Sequence, residues 1–222
     1  MGAGGYAGSM NTLTERRATA RGLLNRYGRG FADACGFSVI ANPASLFQLL
    51  ILAVLTSGRG DYHKQVALAH KLREQGWDSP TRLAGAPHER RVQVIRAAGR
   101  RDAERLATTL GDLAEAVADR YRGDLRRLRR AAGYKPDQER RLLTELPNVS
   151  DRAADLFFQE VQVLWSEVFP FAERRALAAA RKLGLATTTA ELASITGGDE
   201  SERLAWVAGA LTRLDRENGT NK

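Results

Sequence analysis

The chain is poor in the residues that staple, ligate or span. Of its 222 residues one is cysteine, Cys35, and three are histidine, His63, His70 and His88. A single cysteine excludes an intrachain disulfide and any zinc or iron–sulfur site built on cysteines. His63 and His70 stand two helical turns apart, but no acidic residue accompanies them at metal-ligand spacing, so all three read as solvated helix positions. Long apolar runs are missing too. The longest, Leu46 to Leu55, is broken by Gln48 and is too short to cross a bilayer. No membrane partner is therefore expected. The opening MGAGGYAGS has neither the basic stretch nor the apolar core of a secretory signal. Residues 1–10 read as a flexible tail or a cloning remnant, with Met10 a natural start, and the reading is of a cytoplasmic protein. Sustained alternation of apolar and polar residues is also missing, which leaves no candidate strand.

What is present is positive charge and helical periodicity. Thirty-four Lys and Arg against 26 Asp and Glu leave a formal net charge of +8. A surplus of that size fits a polyanionic partner, nucleic acid being the commonest, or a generally arginine-rich composition. Hydrophobic residues make up 43% of the chain, enough for a buried core.

Proline and glycine punctuate a nearly continuous helical pattern. Helices are expected at 12–27, 44–56, 62–75, after Ser79-Pro80, at 88–98, 102–120, 124–132, 138–146, 150–165, 171–183, 189–195 and 201–216. Residues 28–42 read as an irregular connection. Pro43 suits the first turn of the second helix, whose sequence is apolar on every side, and such a helix belongs at the centre of a fold. Asp61 is placed to cap the helix that follows SGRGD. Short loops between so many helices make an all-α domain over residues 11–222. The arginine cluster Arg126, Arg127, Arg129 and Arg130 reads as a solvated face, and Phe157, Phe158 and Trp165 as core.

One stretch calls for a specific account. In LTELPNVSDRAADLFFQEV, residues 143–161, a leucine-rich helix meets Pro147, a few turn residues follow, and an amphipathic helix begins. Asn148 tolerates a left-handed backbone, Val149 can plug into the core, and Ser150 or Asp151 can cap the next helix. Such a turn beside a helix N-terminus points backbone N–H groups outward, where an anion such as a DNA phosphate can accept from them. The alternative is an ordinary helix–helix turn.

Here the sequence resembles the helix-hairpin-helix DNA glycosylase superfamily of the endonuclease III type, whose hairpin reads Leu-Pro-Gly-Val-Gly followed by Arg-Lys-Thr-Ala. This chain has LPNVS, Leu146 to Ser150, followed by DRAA. PASLFQLLILAVLTSGRGD, Pro43 to Asp61, resembles the family's buried helix and DNA-inserting loop. FAERRALAAARKLGL, Phe171 to Leu185, resembles its Val-Asp-Thr-His segment ending in Asn-Arg-Leu-Gly. The three stand in register over about Pro43 to Leu185.

The resemblance implies a two-lobed helical fold, one lobe from about residues 43–165 and the other from 11–42 with 166–222. It implies a monomer that binds damaged double-stranded DNA in base-excision repair. Asn148, Val149, Ser150 and Arg152 would lie against the DNA backbone. Gly58 and Arg59 would form the inserting loop, Arg59 filling the gap left by an extruded base; the alternative there is a simple helix break. Glu173 falls where the family has its catalytic aspartate and would serve a water or the sugar; the alternative is a surface carboxylate paired with Arg174, Arg181 or Lys182. The lysine that makes bifunctional members lyases falls on Arg152. A guanidinium stays protonated and forms no Schiff base. The implied activity is therefore hydrolytic, a monofunctional N-glycosylase, with lesion binding without chemistry as the alternative. No cofactor is expected, the four-cysteine iron–sulfur motif being absent; a monovalent cation at the hairpin is compatible with the resemblance. Both hairpin glycines are replaced, by Asn148 and Ser150.

Overall fold

The computed structural model describes residues 12–58 and 60–220, and among them the chain is helical throughout, with no strand. The helices are α1 (Leu13–Tyr27), α2 (Gly30–Ala34), α3 (Pro43–Ser57), α4 (Tyr62–Glu74), α5 (Pro80–Ala84), α6 (His88–Ala97) and α7 (Ala103–Tyr121). They continue as α8 (Leu125–Ala131), α9 (Pro136–Thr144), α10 (Asp151–Val161), α11 (Arg174–Lys182), α12 (Thr189–Thr196) and α13 (Ser201–Thr220), with a 3-10 turn at Ser166–Val168. The expected tail at residues 1–10 lies outside the described residues. No helix among the described residues is long and apolar enough to cross a membrane.

Side chains that bind the first free N–H groups set most of the helix starts. Thr12 and Glu15 form a reciprocal capping box on α1. Asn42 caps α3 ahead of Pro43, Asp61 caps α4, and Ser150 caps α10. Two expected helices are shorter than their periodicity suggests. The helix read over 150–165 stops at Val161, and Leu164 and Trp165 both turn back onto the Val161 carbonyl. The one read from Phe171 begins at Arg174, because Glu173 is its extended N-cap. The connection read as irregular over 28–42 contains the short helix α2, whose start is shaped by the positive φ of Gly28 and Gly30.

The apolar side chains gather into two clusters. The larger surrounds α3, whose Leu46, Phe47, Leu50 and Leu52 are fully buried, and draws on α4 to α10. Phe31 and Cys35 belong to it. The smaller joins α1, α11, α12 and α13 through Ala176, Leu185, Leu192, Leu204 and Leu211. Helix α10 packs against both α3 and α13 and so touches the helices of both clusters. Phe157, Phe158 and Trp165 are core, as read from sequence.

Buried charge is handled explicitly. Arg91 donates to the carbonyl oxygens of Leu83, Ala84, Ala86 and Ala107, binding the end of α5 to α6 and α7. It lies so close to α7 that a Cβ on Gly111 would stand 2.6 Å from its Nη2. Of the four arginines on α8, Arg129 is not solvated as expected. It grips Glu167 with two bonds of 2.6 Å and lies over the rings of Tyr134 and Trp165. The fully buried Glu139 faces that pair. Burial, then the adjoining Glu167, push its carboxyl up to about 8 against the pull of Arg129. Burial would raise Glu167 as well, but the bonds from Arg129 outweigh it and hold it below the usual carboxylate range. At neutral pH Glu139 is thus the protonated member and Glu167 the ionised one.

Because folding raises the Glu139 pKa, the folded state holds a proton that the unfolded chain has already released. That contribution to stability is complete below the ordinary carboxylate pKa and is lost as pH rises through about 8. Glu139→Gln should flatten the alkaline side of the stability profile and be at least as stable as the parent at pH 9. Thermal unfolding between pH 6 and pH 9 measures this; parallel profiles for the two proteins would refute it.

Candidate functional site

The hairpin between α9 and α10 is built as a rigid turn. The Leu146 N–H returns to the Leu143 carbonyl at 3.1 Å, and the Val149 N–H closes on Leu146 at 3.3 Å. Asn148 between them takes φ +64, the left-handed region. Its side-chain amide reaches the Thr109 carbonyl on α7 at 3.5 Å. Val149 is buried and pins the turn to the core. Ser150 is extended, and its hydroxyl oxygen accepts from the Ala153 N–H at 3.2 Å. Among the described residues nothing accepts from the backbone N–H groups of Asn148, Ser150, Asp151 and Arg152. Four donors at the positive end of an eleven-residue helix thus remain available.

Behind the hairpin the structure brings Arg152 and Glu173 into one electrostatic neighbourhood. Arg152, in the first turn of α10, donates from Nη1 to the Ser57 carbonyl at the end of α3, at 3.0 Å. Its Nε and Nη2 are shielded and have no acceptor among the described residues. Burial first, then Arg175, hold its guanidinium below the usual value, while Glu173 and Asp215 act the other way. Glu173 is only 2% exposed, so it is not the surface carboxylate of the alternative reading. One of its oxygens accepts from the Arg175 N–H at 3.1 Å, capping α11, and the other lies 3.5 Å from the Thr212 hydroxyl, which donates to the Ala208 carbonyl at 3.0 Å.

Buried amides hold Glu173 in place. Gln162 accepts from the Phe171 N–H at 3.0 Å and donates to the Phe171 carbonyl at 2.9 Å. Gln159 accepts from the Glu173 N–H at 3.2 Å. The carboxylate at the head of α11 is therefore positioned by α10, the helix that carries the hairpin.

Arg216 of α13 completes the cluster. It donates to Gln65 at 2.8 Å and lies over the Tyr62 ring at 5.6 Å. Burial, then Arg152, bring its guanidinium down to about 10. With Gly60, Asp61, Tyr62, His63 and Arg213 it lines an open recess of about 580 Å³. A larger hollow of about 750 Å³ runs between α1 and the α12–α13 region, away from every residue named for the site.

Of the residues expected from sequence, Asn148, Val149, Ser150 and Arg152 sit together on the hairpin, and Glu173 stands within electrostatic reach of Arg152. Gly58 is exposed at the end of α3, next to the Ser57 carbonyl that Arg152 binds. Arg59 lies outside the described residues. Sequence reasoning missed Gln159, Gln162, Arg175, Thr212 and Arg216. The two glutamines leave a trace, amides at the apolar C-terminal end of α10 and its cap. Arg175, Thr212 and Arg216 leave none, because their relevance depends on packing between distant segments.

No protein-family model matches the sequence, and no curated protein matches it at a significant level. Two solved structures resemble it. One is a trapped endonuclease III–DNA covalent intermediate, an estranged-adenine complex, at 19% identity over 91% of this chain and 85% of that one, with a TM-score of 0.50. The other is a non-covalent endonuclease III–DNA complex, at 18% identity over the same shares of each chain, with a TM-score of 0.49. With the all-helical architecture described above, the first of these likenesses shows that the chain has an endonuclease III-like helix-hairpin-helix fold.

Proposed function

We propose that this protein binds damaged double-stranded DNA and releases a base from it by hydrolysing the N-glycosidic bond, as a monofunctional DNA glycosylase. The observation that carries the reading is the hairpin. Its donors at Asn148, Ser150, Asp151 and Arg152 have no acceptor among the described residues, which is how a phosphate site looks before it is filled. The solved structures with this fold are themselves complexes with DNA. Hairpin contacts touch phosphate rather than base edges, so they fix position on the duplex and carry no sequence preference.

The chemistry follows from two side chains. Arg152 has no amine to attack a sugar carbon, so no covalent enzyme–DNA intermediate forms there. Glu173 supplies a carboxylate to polarise a water or to stabilise positive charge developing on the sugar. A lesion-binding protein without chemistry is the second reading. It is favoured by one observation: Glu173 is only 2% exposed, and one of its oxygens already accepts the Arg175 N–H as the cap of α11. In either case we expect a cytoplasmic monomer that needs no cofactor.

Asp151→Pro tests the hairpin. Proline is well suited to the first position of a helix, and Ser150 before it is already extended, at φ −74 and ψ 163. The substitution removes an N–H that has no acceptor among the described residues. Compared with Asp151→Asn, which controls for the lost charge, it should weaken duplex binding roughly tenfold, the worth of one hydrogen bond to a charged group. Melting temperature should not change between the two. Equal affinities measured by fluorescence anisotropy would show that the hairpin holds no phosphate.

The chemical reading is tested on alkylated, oxidised and deaminated duplexes. Base release should leave an intact abasic strand, cut only by later alkali, and borohydride should trap no adduct. Glu173→Gln keeps the shape and removes the charge, so it should abolish release and leave binding nearly unchanged. A trapped adduct would refute the monofunctional mechanism. Binding to abasic DNA with no release from any substrate would establish the second reading instead.

A further inference from the structure

We propose that Arg140 is a positioning residue for the hairpin: it neutralises Asp151 and holds that carboxylate off the backbone donors that take a DNA phosphate. The proposal rests on the DNA-binding reading and says how the hairpin keeps its anion site open.

Asp151 sits awkwardly for a residue at a phosphate site. It is the first residue of α10, its side chain is 80% exposed, and its own N–H is among the hairpin donors without an acceptor among the described residues. A carboxylate in the first turn stabilises the helix start, because the free N–H groups there carry partial positive charge. The same negative charge opposes an incoming phosphate. A short acidic side chain also accepts readily from nearby backbone N–H groups. Unrestrained, Asp151 is a built-in competitor for the anion that the hairpin is to bind.

Arg140 restrains it from the other side of the turn. From α9 its Nη1 donates to Asp151 Oδ1 at 2.8 Å, and its Nη2 reaches the Asp151 carbonyl at 3.4 Å. Its Nε and Nη2 also both donate to Oδ1 of Asp155, one turn further along α10, at 3.1 and 3.0 Å. Asp155 is only 24% exposed and is the firmer anchor. A guanidinium is planar, so fixing one edge on Asp155 decides where the remaining Nη1 points, and it points at Asp151. The Asp151 carboxylate is thereby drawn back across the hairpin to α9, and among the described residues it accepts from no backbone N–H. The donors of Asn148, Ser150, Asp151 and Arg152 stay open. An ion pair this exposed adds little to folding stability, so its consequence lies in what the turn can bind.

The test is a double-mutant cycle in the full chain: wild type, Arg140→Gln, Asp151→Asn and the double variant. Each is titrated at several salt concentrations with a duplex carrying a tetrahydrofuran abasic analogue. Arg140→Gln should weaken binding about fivefold at low salt, and the loss should shrink as salt rises. In the Asp151→Asn background the same substitution should cost less than about twofold, because no carboxylate is left to restrain. Arg140→Lys should recover part of the loss, since it keeps the charge without the planar fork that spans both aspartates. An equal loss in both backgrounds would show that Arg140 touches the phosphate itself or merely braces the fold, and would overturn the proposal. If Arg140→Gln does not fold, Arg140→Lys carries the same cycle, with a smaller loss beside Asp151 and none beside Asn at that position. Should wild type bind no DNA, the DNA-binding reading fails, and inorganic phosphate becomes the anion, read as a rise in melting temperature. A rise that Arg140→Gln diminishes beside Asp151 and leaves intact in the Asp151→Asn background assigns the role toward free phosphate. Equal rises in wild type and Arg140→Gln, or none in any of these proteins, refute it.

Discussion

Three buried polar side chains, two on α10 and one at its C-cap, hold the rest of the arrangement together. Gln162 clamps the backbone of Phe171, Gln159 takes the N–H of Glu173, and Glu160 accepts from the N–H of Phe31 at the start of α2 at 3.3 Å. Each ties down a segment whose backbone groups are not all satisfied within a helix, and each is buried, so no water can replace it cheaply. The same helix begins at the hairpin and carries Arg152 in its first turn. One rigid body thus sets the spacing between the hairpin donors, the guanidinium and the carboxylate at the head of α11.

Glu160 shows how closely the parts must approach. A Cβ on Gly30 would stand 2.9 Å from its carboxylate, and one on Gly209 would stand 3.2 Å from the Cα of Gly30. Two glycines let α2, α10 and α13 meet there. Burial pushes the Glu160 carboxyl up to about 7, with the Phe31 N–H and Arg213 pulling the other way. Arg213 in turn donates to the carbonyls of Tyr27 and Gly30 and lies over the rings of Phe31 and Tyr62. The fold therefore spends several of its charged residues on joining segments, and a net charge of +8 overstates what is available to a polyanion.

Much of the fold was legible because helix signals are local. Thr12, Asn42, Asp61 and Ser150 announce helix starts within four residues of the N–H groups they bind, and the all-round apolar character of α3 places it centrally. The reading failed where the decisive partner is distant in sequence. Periodicity carried α10 on to Trp165 and started α11 at Phe171, since nothing local shows that Gln162 captures the Phe171 backbone. Residues 28–42 looked irregular because α2 is a five-residue helix stabilised by a carboxylate 129 positions away.

From the sequence alone follow the all-helical class, the central helix, the turn at Leu146–Ser150 with its left-handed Asn148, and the absence of an amine at Arg152. All of these depend on residue type and on neighbours a few positions away. Only the tertiary structure decided that Glu173 is buried, that Gln159 and Gln162 position it, and that Arg175 and Arg216 stand with Arg152. Desolvation and Coulomb interactions act through space, and a side chain's charge becomes chemically distinctive only when packing removes its water and chooses its neighbours.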